Sequence, residues 1–320
     1  MLIAIRLPDK IEERILSFPF LHTLRKFYLT QLEEEEQLEL HLITKEEGIE
    51  VLYLLPFNAF YHPLNNEDNH SVLDAYRAYK NLKINKKIDI FYNLNLNFFD
   101  ALLGVFFMAK KRVGFNKGNA QYLYSEKIPF QEGIHLQENY LTFLPRKEEE
   151  ALPLSRKLPR IEGIPPEAPY IVINLDLNNK GEIHSDWYEF LTYFEKRKIV
   201  LLCDSLALGE QAYVLQGLIN NLGENHNQIE VFQIENYIEV AQLLSHALIF
   251  VSYNSPLVYI STYCGTKTLL LNEEEKVQEL APLDFSGPLI LFSNKDPSLM
   301  EGGRFNLEKV FNEIDGLWPR

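Results

Sequence analysis

The sequence is poor in the residues from which disulfide and metal sites are built. Among 320 residues only Cys203 and Cys264 are cysteine, and both lie in apolar stretches. Two isolated cysteines provide neither a disulfide framework nor a cysteine zinc site, so we interpret both as small core residues. The sequence also has no H-E-x-x-H and no D-x-D motif. We therefore expect no bound metal and no cofactor.

Positive charge is also scarce. The chain carries 31 Lys and Arg against 45 Asp and Glu, which gives a formal net charge of −14. This balance argues against nonspecific binding to nucleic acid or to an anionic membrane, because most phosphates would go unneutralised. A local basic cluster could still hold one anionic ligand.

Long apolar runs are absent. The longest, "ALLGVFFMA" at residues 101–109, is far short of the roughly 20 residues that a membrane span needs. The first ten residues resemble neither a basic leader nor a signal peptide. We place the protein in the cytoplasm, with at most peripheral contact to the inner membrane.

Three motifs of phosphate binding or hydrolysis are missing as well. No glycine-rich loop ends in Lys-Ser or Lys-Thr, and neither G-x-G-x-x-G nor G-x-S-x-G occurs. Glycine itself is below average, with 15 residues. Any ligand site must therefore be recognised by its position in the fold.

The length favours two domains. Residues 146–169 contain five prolines and mixed charge without a sustained period, as in an interdomain linker. We predict one domain at residues 1–150, a linker at 151–168, a second domain at 169–300 and a terminal helix within 301–320.

Apolar strands alternate with helical segments in the second half. The predicted strands are "YIVINL", "KIVLLC", "IEVFQI", "ALIFVS" and "TLLLN", and the predicted helices are residues 187–196, 206–221, 237–245 and one that begins at Pro256. This alternation is typical of a parallel sheet covered on both faces, a Rossmann-like domain.

The first half has a similar but less regular pattern. We predict strands at "MLIAIRL", "LELHLI", "VLYLL" and "KIDIFYNL", with helices at residues 12–28 and 99–109. The fold class is therefore α/β of the GT-B type, in which two Rossmann-like domains with mainly parallel sheets face a central cleft. Glycosyltransferases, sugar epimerases and some binding proteins share this architecture, so the fold does not choose among them.

One strand-to-helix turn, "SYNSPLVYISTYCGT", is a candidate phosphate site. Ser255 suits the N-cap of the helix, Pro256 its first position and Gly265 the residue past its end. A helix that begins at a strand's carboxyl end directs free N–H groups towards a ligand. The alternative is an ordinary turn without a ligand.

Carboxylates begin the first predicted helix. Glu12 and Glu13 stand at the edge where the first strand ends, and a carboxylate there could act as general base. Alternatively, they only favour the helix dipole. Lys180 could offset charge on a diphosphate and Glu210 could accept hydrogen bonds from a ribose, although the default interpretation is a solvated loop residue for Lys180 and a helix-surface carboxylate for Glu210.

Several stretches together resemble the bacterial ADP-heptose heptosyltransferases, glycosyltransferase family 9. "LIAIRL" and "ILSFPFLHTLRKFY" are similar to the family's opening strand and its L-P-x-L-x-x-L-R helix. "IDIFYNLNLNFFDALLGVFFMAKKRVGF" is similar to its segment ending in R-x-G-F, here Arg112 to Phe115. "YIVINL", Trp187 and residues 235–271 extend the resemblance over most of the chain.

The resemblance implies site residues, several of which depart from the family pattern. The family's proposed catalytic Asp corresponds to Glu13. Its D-[ST]-G-P-x-H motif begins at Asn254, keeps a hydroxyl at Ser255, and has Pro256 for glycine and Tyr259 for histidine. Proline supplies no N–H for a phosphate.

Three functions remain open, and two of them are favoured. In the first, the protein is an inverting, metal-independent glycosyltransferase that moves a sugar from a nucleotide-sugar to a lipopolysaccharide-type or other cell-envelope glycan. Glu13 is then the base, and Asn254, Ser255, Pro256, Glu210 and Lys180 contact the donor. In the second, it is a catalytically degenerate relative that binds a glycan, a nucleotide or a protein. A sugar-nucleotide epimerase is a third, more distant hypothesis, and the sequence names no acceptor-binding residue.

Overall fold

The computed structural model describes residues 1–33, 37–65, 71–144, 169–174, 186–194, 197–204, 229–253, 255–272, 289–293, 300–301, 304–305 and 307–317. These residues divide into two compact units, the first within residues 1–144 and the second within 169–317. Each unit contains one six-stranded sheet. In the described part of the chain, no helix is long and apolar enough to cross a membrane.

The first unit is built on a parallel sheet with the strand order β3-β2-β1-β4-β5-β6. β1 and β4 are buried throughout, as expected for central strands covered on both faces. The chain order reverses between them, which makes the β1/β4 boundary a topological switch point. The strands are β1 (Leu2–Arg6), β2 (Glu39–Lys45), β3 (Phe60–Leu64), β4 (Ile90–Asn93), β5 (Lys111–Phe115) and β6 (Glu126–Ile128).

In the described part of this unit, five α-helices and two 3₁₀ helices accompany the sheet. The α-helices are α1 (Ile11–Leu16), α2 (Phe18–Leu29), α3 (Val72–Leu82), α4 (Phe98–Phe106) and α5 (Leu136–Leu141), and the 3₁₀ helices are Ile49–Leu54 and Asn119–Leu123. α3 starts at Ser71, whose hydroxyl oxygen accepts a hydrogen bond from the N–H of Asp74. α4 packs against both α3 and the second 3₁₀ helix.

Two sequence predictions for this unit need correction. The helix predicted at residues 12–28 is two helices that meet at Ser17, because Pro19 has no N–H to continue the first one. The strand predicted at "VLYLL" is instead the 3₁₀ helix Ile49–Leu54, which follows Gly48 in the left-handed region at φ 63°. A short apolar run does not distinguish a strand from a buried helical turn. β3, an edge strand with a proline, lay outside the prediction.

The second unit repeats the doubly wound pattern, with the strand order β12-β11-β10-β7-β8-β9. β7 and β10 form its switch point. The parallel strands are β7 (Tyr170–Asn174), β8 (Lys198–Asp204), β9 (Ile229–Ile234), β10 (Ile249–Tyr253), β11 (Thr268–Asn272) and β12 (Leu289–Ser293). β13 (Met300–Glu301) and β14 (Arg304–Phe305) form a small antiparallel pair.

The described helices of this unit agree with the sequence predictions. They are α6 (Asp186–Tyr193), α7 (Tyr237–Leu244), α8 (Pro256–Tyr263) and α9 (Leu307–Leu317). α9 joins the core through Phe311, whose ring stacks on Tyr193 with 4.1 Å between centroids. The helix predicted at residues 206–221 and the predicted linker lie outside the described residues. The predicted α/β class, with two mainly parallel sheets, is confirmed.

Candidate functional site

A pocket of about 570 Å³ opens at the carboxyl edge of the first sheet. Its wall combines Glu13, the segment that follows β4, the end of β5, the segment that follows β6, and Tyr140 of α5. Ligands of open α/β folds bind at this edge, next to the switch point. The pocket therefore lies where open α/β folds bind their ligands.

Glu13 supplies the pocket with a half-buried carboxylate. Its side chain is 24% exposed, and its Oε1 lies 3.4 Å from Nζ of Lys10. Burial raises the pKa of Glu13 above its ordinary value, against the lowering effect of Lys10. Glu13 and Tyr140 both line this pocket, and the charge of Glu13 adds to burial in raising the pKa of the Tyr140 hydroxyl. A carboxylate with a raised pKa suits proton abstraction near neutral pH.

Glu12 is in the same helical turn but does not line the pocket. Of the two predicted acidic residues, only Glu13 is therefore placed to act on a pocket ligand.

The backbone beneath Glu13 is held by Arg14, a buried residue that the sequence interpretation missed. Its guanidinium donates to the carbonyls of Pro8 (3.3 Å), Asp9 (2.9 Å), Glu47 (3.0 Å) and Gly48 (2.7 Å). Burial lowers the pKa of Arg14 to about 10. Four bonds to two separate segments fix the turn before α1, and with it the direction of Glu13.

Arg6, at the end of β1, is a second buried cation. Its Nε donates to Oδ1 of Asp100 at 3.0 Å, and its guanidinium also pairs with Asp9. The second oxygen of Asp100 accepts from Nδ2 of Asn95 at 3.0 Å. That Nδ2 also donates to the carbonyl of Leu7 at 3.2 Å. Asn95 lines the pocket, so this buried ion pair sets the position of a polar pocket residue.

Sequence reasoning did not identify Asn95. The available signal was "NLNLN", a polar stretch directly after the apolar strand "IDIFY". The lining also includes the rings of Phe115, Phe130 and Tyr140. The ammonium of Lys117 lies 4.3 Å from the ring centroid of Phe130 and 2.9 Å from Oε1 of Glu132. The pocket thus presents aromatic rings beside a few polar groups, as small-molecule sites do.

The predicted phosphate helix of the second unit is α8, which starts where β10 ends. Ser255 is its N-cap, with extended backbone, and Pro256 is at its first turn. Gly265, at φ 80°, follows the end of the helix. These three positions agree with the prediction.

The side chain of Ser255, in contrast, does not cap the helix. Nδ2 of Asn174, at the end of the neighbouring β7, donates to the hydroxyl oxygens of Ser252 and Ser255, each at 3.2 Å. Ser252 and Ser255 are themselves 3.2 Å apart. The three residues form a small polar cluster at the switch point of the second sheet, and Asn174 is a residue that sequence reasoning missed.

The other predicted donor residues have different outcomes. Asn254, Lys180 and Glu210 lie outside the described residues. Tyr259, which takes the place of the family's histidine, is only 4% exposed, as α8 is buried along its whole length after Pro256. Among the described residues, no group of three or more His, Cys, Asp or Glu is arranged to hold a metal ion.

Comparison with solved structures finds the same fold along nearly the whole chain. The glycosyl transferase family 9 structure from Veillonella parvula DSM 2008 aligns with a TM-score of 0.78 at 12% identity, over 99% of this chain and 96% of that chain. E. coli ADP-heptose lps heptosyltransferase II aligns with a TM-score of 0.70 at 14% identity, over 99% of this chain and 98% of that chain. E. coli heptosyltransferase WaaC with ADP aligns with a TM-score of 0.73 at 12% identity, over 99% of this chain and 100% of that chain. The chain therefore has the same fold as these three solved structures.

Epimerases share this architecture at a lower level of similarity. UDP-GlcNAc 2-epimerase from Methanocaldococcus jannaschii aligns with a TM-score of 0.56 at 13% identity, over 100% of this chain and 93% of that chain. No family model and no curated protein sequence matches the chain. The likeness therefore establishes a GT-B fold, and the function has to be argued from the site.

Proposed function

We propose that the protein is an inverting glycosyltransferase of the heptosyltransferase type. It would transfer a sugar from a nucleotide-sugar to a lipopolysaccharide-type or other cell-envelope glycan, without a metal ion. The observation that carries this proposal is Glu13, a half-buried carboxylate with a raised pKa in a pocket at the carboxyl edge of the first sheet. Support for a nucleotide donor comes from the similar WaaC structures, which contain ADP and ADP-2-deoxy-2-fluoro heptose.

In this reaction the acceptor glycan enters the pocket, and Glu13 removes the proton of its attacking hydroxyl. The hydroxyl oxygen forms a bond to the anomeric carbon of the donor sugar. The bond from that carbon to the diphosphate oxygen breaks, and the nucleoside diphosphate leaves with the electron pair. One displacement of this kind inverts the configuration, and Glu13 ends the step protonated.

The departing diphosphate would be stabilised at the start of α8. Nδ2 of Asn174 donates to Ser255, and the Ser252 hydroxyl donates to the carbonyl of Tyr253, so the Ser255 hydroxyl is the donor in its contact with Ser252. On ligand binding the Ser255 hydroxyl would rotate from Ser252 to donate to a phosphate oxygen. Asn254 and Lys180 would contact the diphosphate and Glu210 the ribose, as the resemblance and the sequence suggest. Pro256 contributes no N–H, which costs about 1.5–3 kcal/mol relative to a charged hydrogen bond at that position.

A degenerate binding module is the second candidate. Two observations favour it, namely the missing N–H at Pro256 and the buried Tyr259 where the family has a histidine. In that case the same pocket would bind a glycan, a nucleotide or a protein without turnover.

Nucleotide binding separates these candidates most directly. Titration calorimetry with ADP, UDP, GDP and their sugars should give at least one saturable signal. Turnover of that nucleotide-sugar with an envelope glycan extract should then depend on Glu13. Binding without turnover would favour the module, and no binding to any nucleotide by well-folded protein would contradict the transferase.

A further inference from the structure

The hydroxyl of Tyr140 differs from those of the other buried tyrosines in the first unit. In the described part of this unit the buried tyrosines are Tyr28, Tyr92, Tyr124 and Tyr140. The hydroxyls of Tyr28 and Tyr92 lie 2.9 Å apart, and that of Tyr124 accepts from Nδ2 of Asn93 at 2.8 Å. Among the described residues, the Tyr140 hydroxyl has no hydrogen-bond partner. A buried phenol usually has one, so its partner has to be sought outside these residues.

Tyr140 is almost fully buried and still opens on the pocket. The residue is 1% exposed, and it lines the pocket together with Glu13. Its hydroxyl does not belong to the polar side-chain atoms that are enclosed without a partner in the part of the chain that the structure describes. The hydroxyl is therefore reached by solvent through the pocket. A ligand in the pocket can supply the missing partner.

The surroundings of Tyr140 hold its hydroxyl in place. Its ring lies 6.4 Å from that of Phe115, and α5 packs against α2 and against α1, which carries Glu13. The adjacent Asn139 accepts from the N–H of Gln131 at 2.9 Å and donates to the carbonyl of Gln131 at 3.0 Å. Gln131 also lines the pocket. The hydroxyl is thus fixed relative to the pocket wall before a ligand binds, which favours binding.

The charges at this place define the ligand atom that fits. Burial and the charge of Glu13 raise the pKa of Tyr140 well above its ordinary value, so its hydroxyl keeps the proton and acts as a donor. The same carboxylate repels an anionic ligand atom. An uncharged oxygen remains as the acceptor of the hydrogen bond. Sugar hydroxyls both donate and accept, so one saccharide can donate to Glu13 and accept from Tyr140.

We infer that Tyr140 is an acceptor-binding residue, whose hydroxyl donates a hydrogen bond to an uncharged hydroxyl of the acceptor sugar. Glu13 accepts from the attacking hydroxyl of the same sugar. The inference rests on the proposed function, because it takes the pocket as the acceptor site. It also predicts selectivity, since an acceptor without that hydroxyl would leave a buried donor unpaired.

Sugar binding to Tyr140→Phe tests this inference, because the variant removes a single oxygen atom. The probes are the methyl glycosides of glucose, galactose and mannose, together with the monodeoxy analogues of the sugar that binds. Saturation-transfer NMR measures the affinities. We expect the unchanged protein to bind one deoxy analogue about tenfold more weakly than its parent sugar. Tyr140→Phe should bind the parent about tenfold more weakly and no longer distinguish it from that analogue.

Tyr92→Phe is the matched control, because it removes a buried hydroxyl that is paired and lies outside the pocket lining. It should bind sugars as the unchanged protein does. Its thermal midpoint should fall by about 2–4 °C, since Tyr28 loses its partner. Tyr140→Phe should melt at the same or a higher temperature, because no hydrogen bond within the protein is lost. A fall as large as that of the control would reveal a protein partner and overturn the inference.

Failure of this inference is distinct from failure of the proposed function. Absence of sugar binding by folded protein overturns the inference, as do equal sugar affinities of Tyr140→Phe and the unchanged protein, whatever the nucleotide titrations give. Sugar binding that depends on Tyr140 without any nucleotide binding would support the contact and contradict the transferase. Where turnover is measured, Tyr140→Phe should raise the KM of the acceptor and change kcat little, in contrast to Glu13→Gln.

Discussion

The carboxyl edges of the two sheets are built from different kinds of residue. In the first unit, Arg6 and Arg14 are fully buried, and their bonds to Asp100 and to four carbonyls fix the surroundings of Glu13. In the second unit, the corresponding position holds the neutral residues Asn174, Ser252 and Ser255. A base needs a partly desolvated carboxylate in one fixed direction, whereas a diphosphate needs hydrogen-bond donors without a competing negative charge. The difference between the edges matches the two halves of the proposed reaction.

Loss of the Arg6 ion pair should have the largest effect. Arg6→Met leaves Asp100 buried without its cation, so we expect the free energy of unfolding to fall by about 3–5 kcal/mol. Urea unfolding followed by circular dichroism measures this change. Arg77→Met, at an exposed arginine of α3, is the control and should change stability by less than about 0.5 kcal/mol. If the double variant Arg6→Met, Asp100→Leu is no more stable than Arg6→Met alone, the ion pair is not the cause.

Removal of the proposed base should affect turnover more than stability. Glu13→Gln should lower kcat about 10²-fold or more and leave nucleotide affinity nearly unchanged, because the amide cannot take the proton. Glu12→Gln removes the neighbouring carboxylate outside the pocket and is the matched control. Steady-state kinetics with a donor found by calorimetry gives both values. Equal loss in the two variants would rule out a specific role for Glu13.

The pH dependence follows from the raised pKa of Glu13. The base works only when ionised, so turnover should fall as the pH drops through this raised pKa. The folded state binds the proton more tightly than the unfolded state does, so ionised Glu13 costs stability above its folded pKa. Glu13→Gln should therefore be slightly more stable than the unchanged protein at neutral pH and lose this advantage in acid. Thermal melts from pH 4 to pH 8 test this sign, and a less stable variant at neutral pH would contradict it.

The polar cluster of the second unit should have a smaller effect on ligand binding. Asn174→Ala removes the donor that holds Ser252 and Ser255, and we expect nucleotide affinity to fall about fivefold, as for one hydrogen bond. Asn85→Ala changes an exposed asparagine of the first unit and should leave affinity unchanged. Titration calorimetry measures the nucleotide affinity of both variants. An unaltered affinity in Asn174→Ala would place the donor elsewhere.

Two helix caps in the second unit provide the smallest test. Oδ1 of Asn236 accepts from the N–H of Glu239 at 2.9 Å, whereas Ser255 makes no side-chain cap bond. Asn236→Ala should therefore cost about 1 kcal/mol of unfolding free energy, and Ser255→Ala only a few tenths. Chemical denaturation of both variants measures these two changes in the free energy of unfolding. If Ser255→Ala lowers the free energy of unfolding by more than a few tenths of a kcal/mol, the hydrogen bond between Asn174 and Ser255 stabilises the fold.

The elements that were predicted correctly are those with a strong local pattern. The apolar strands and the helix at Pro256 follow from their own residues, because burial on both faces and the proline's fixed φ act locally. The 3₁₀ helix at Ile49–Leu54 was misassigned because its conformation depends on Gly48 and on packing beneath it. Glu12 and Glu13 were candidates by their position after the first strand, and the resemblance selected Glu13. Asn95 and Asn174, in contrast, required the sheet order that places separate strand ends side by side.

The sequence by itself determined the α/β class, the alternation of strands and helices, and a short set of polar strand ends. Hydrophobic periodicity and turn residues are encoded locally, so they can be read without knowledge of distant contacts. Only the tertiary structure decided that Arg6 and Arg14 are buried, that Glu13 rather than Glu12 lines the pocket, and that Asn174 holds Ser255. Each of these facts depends on desolvation and on contacts between residues far apart in the chain, such as the 94 positions between Arg6 and Asp100.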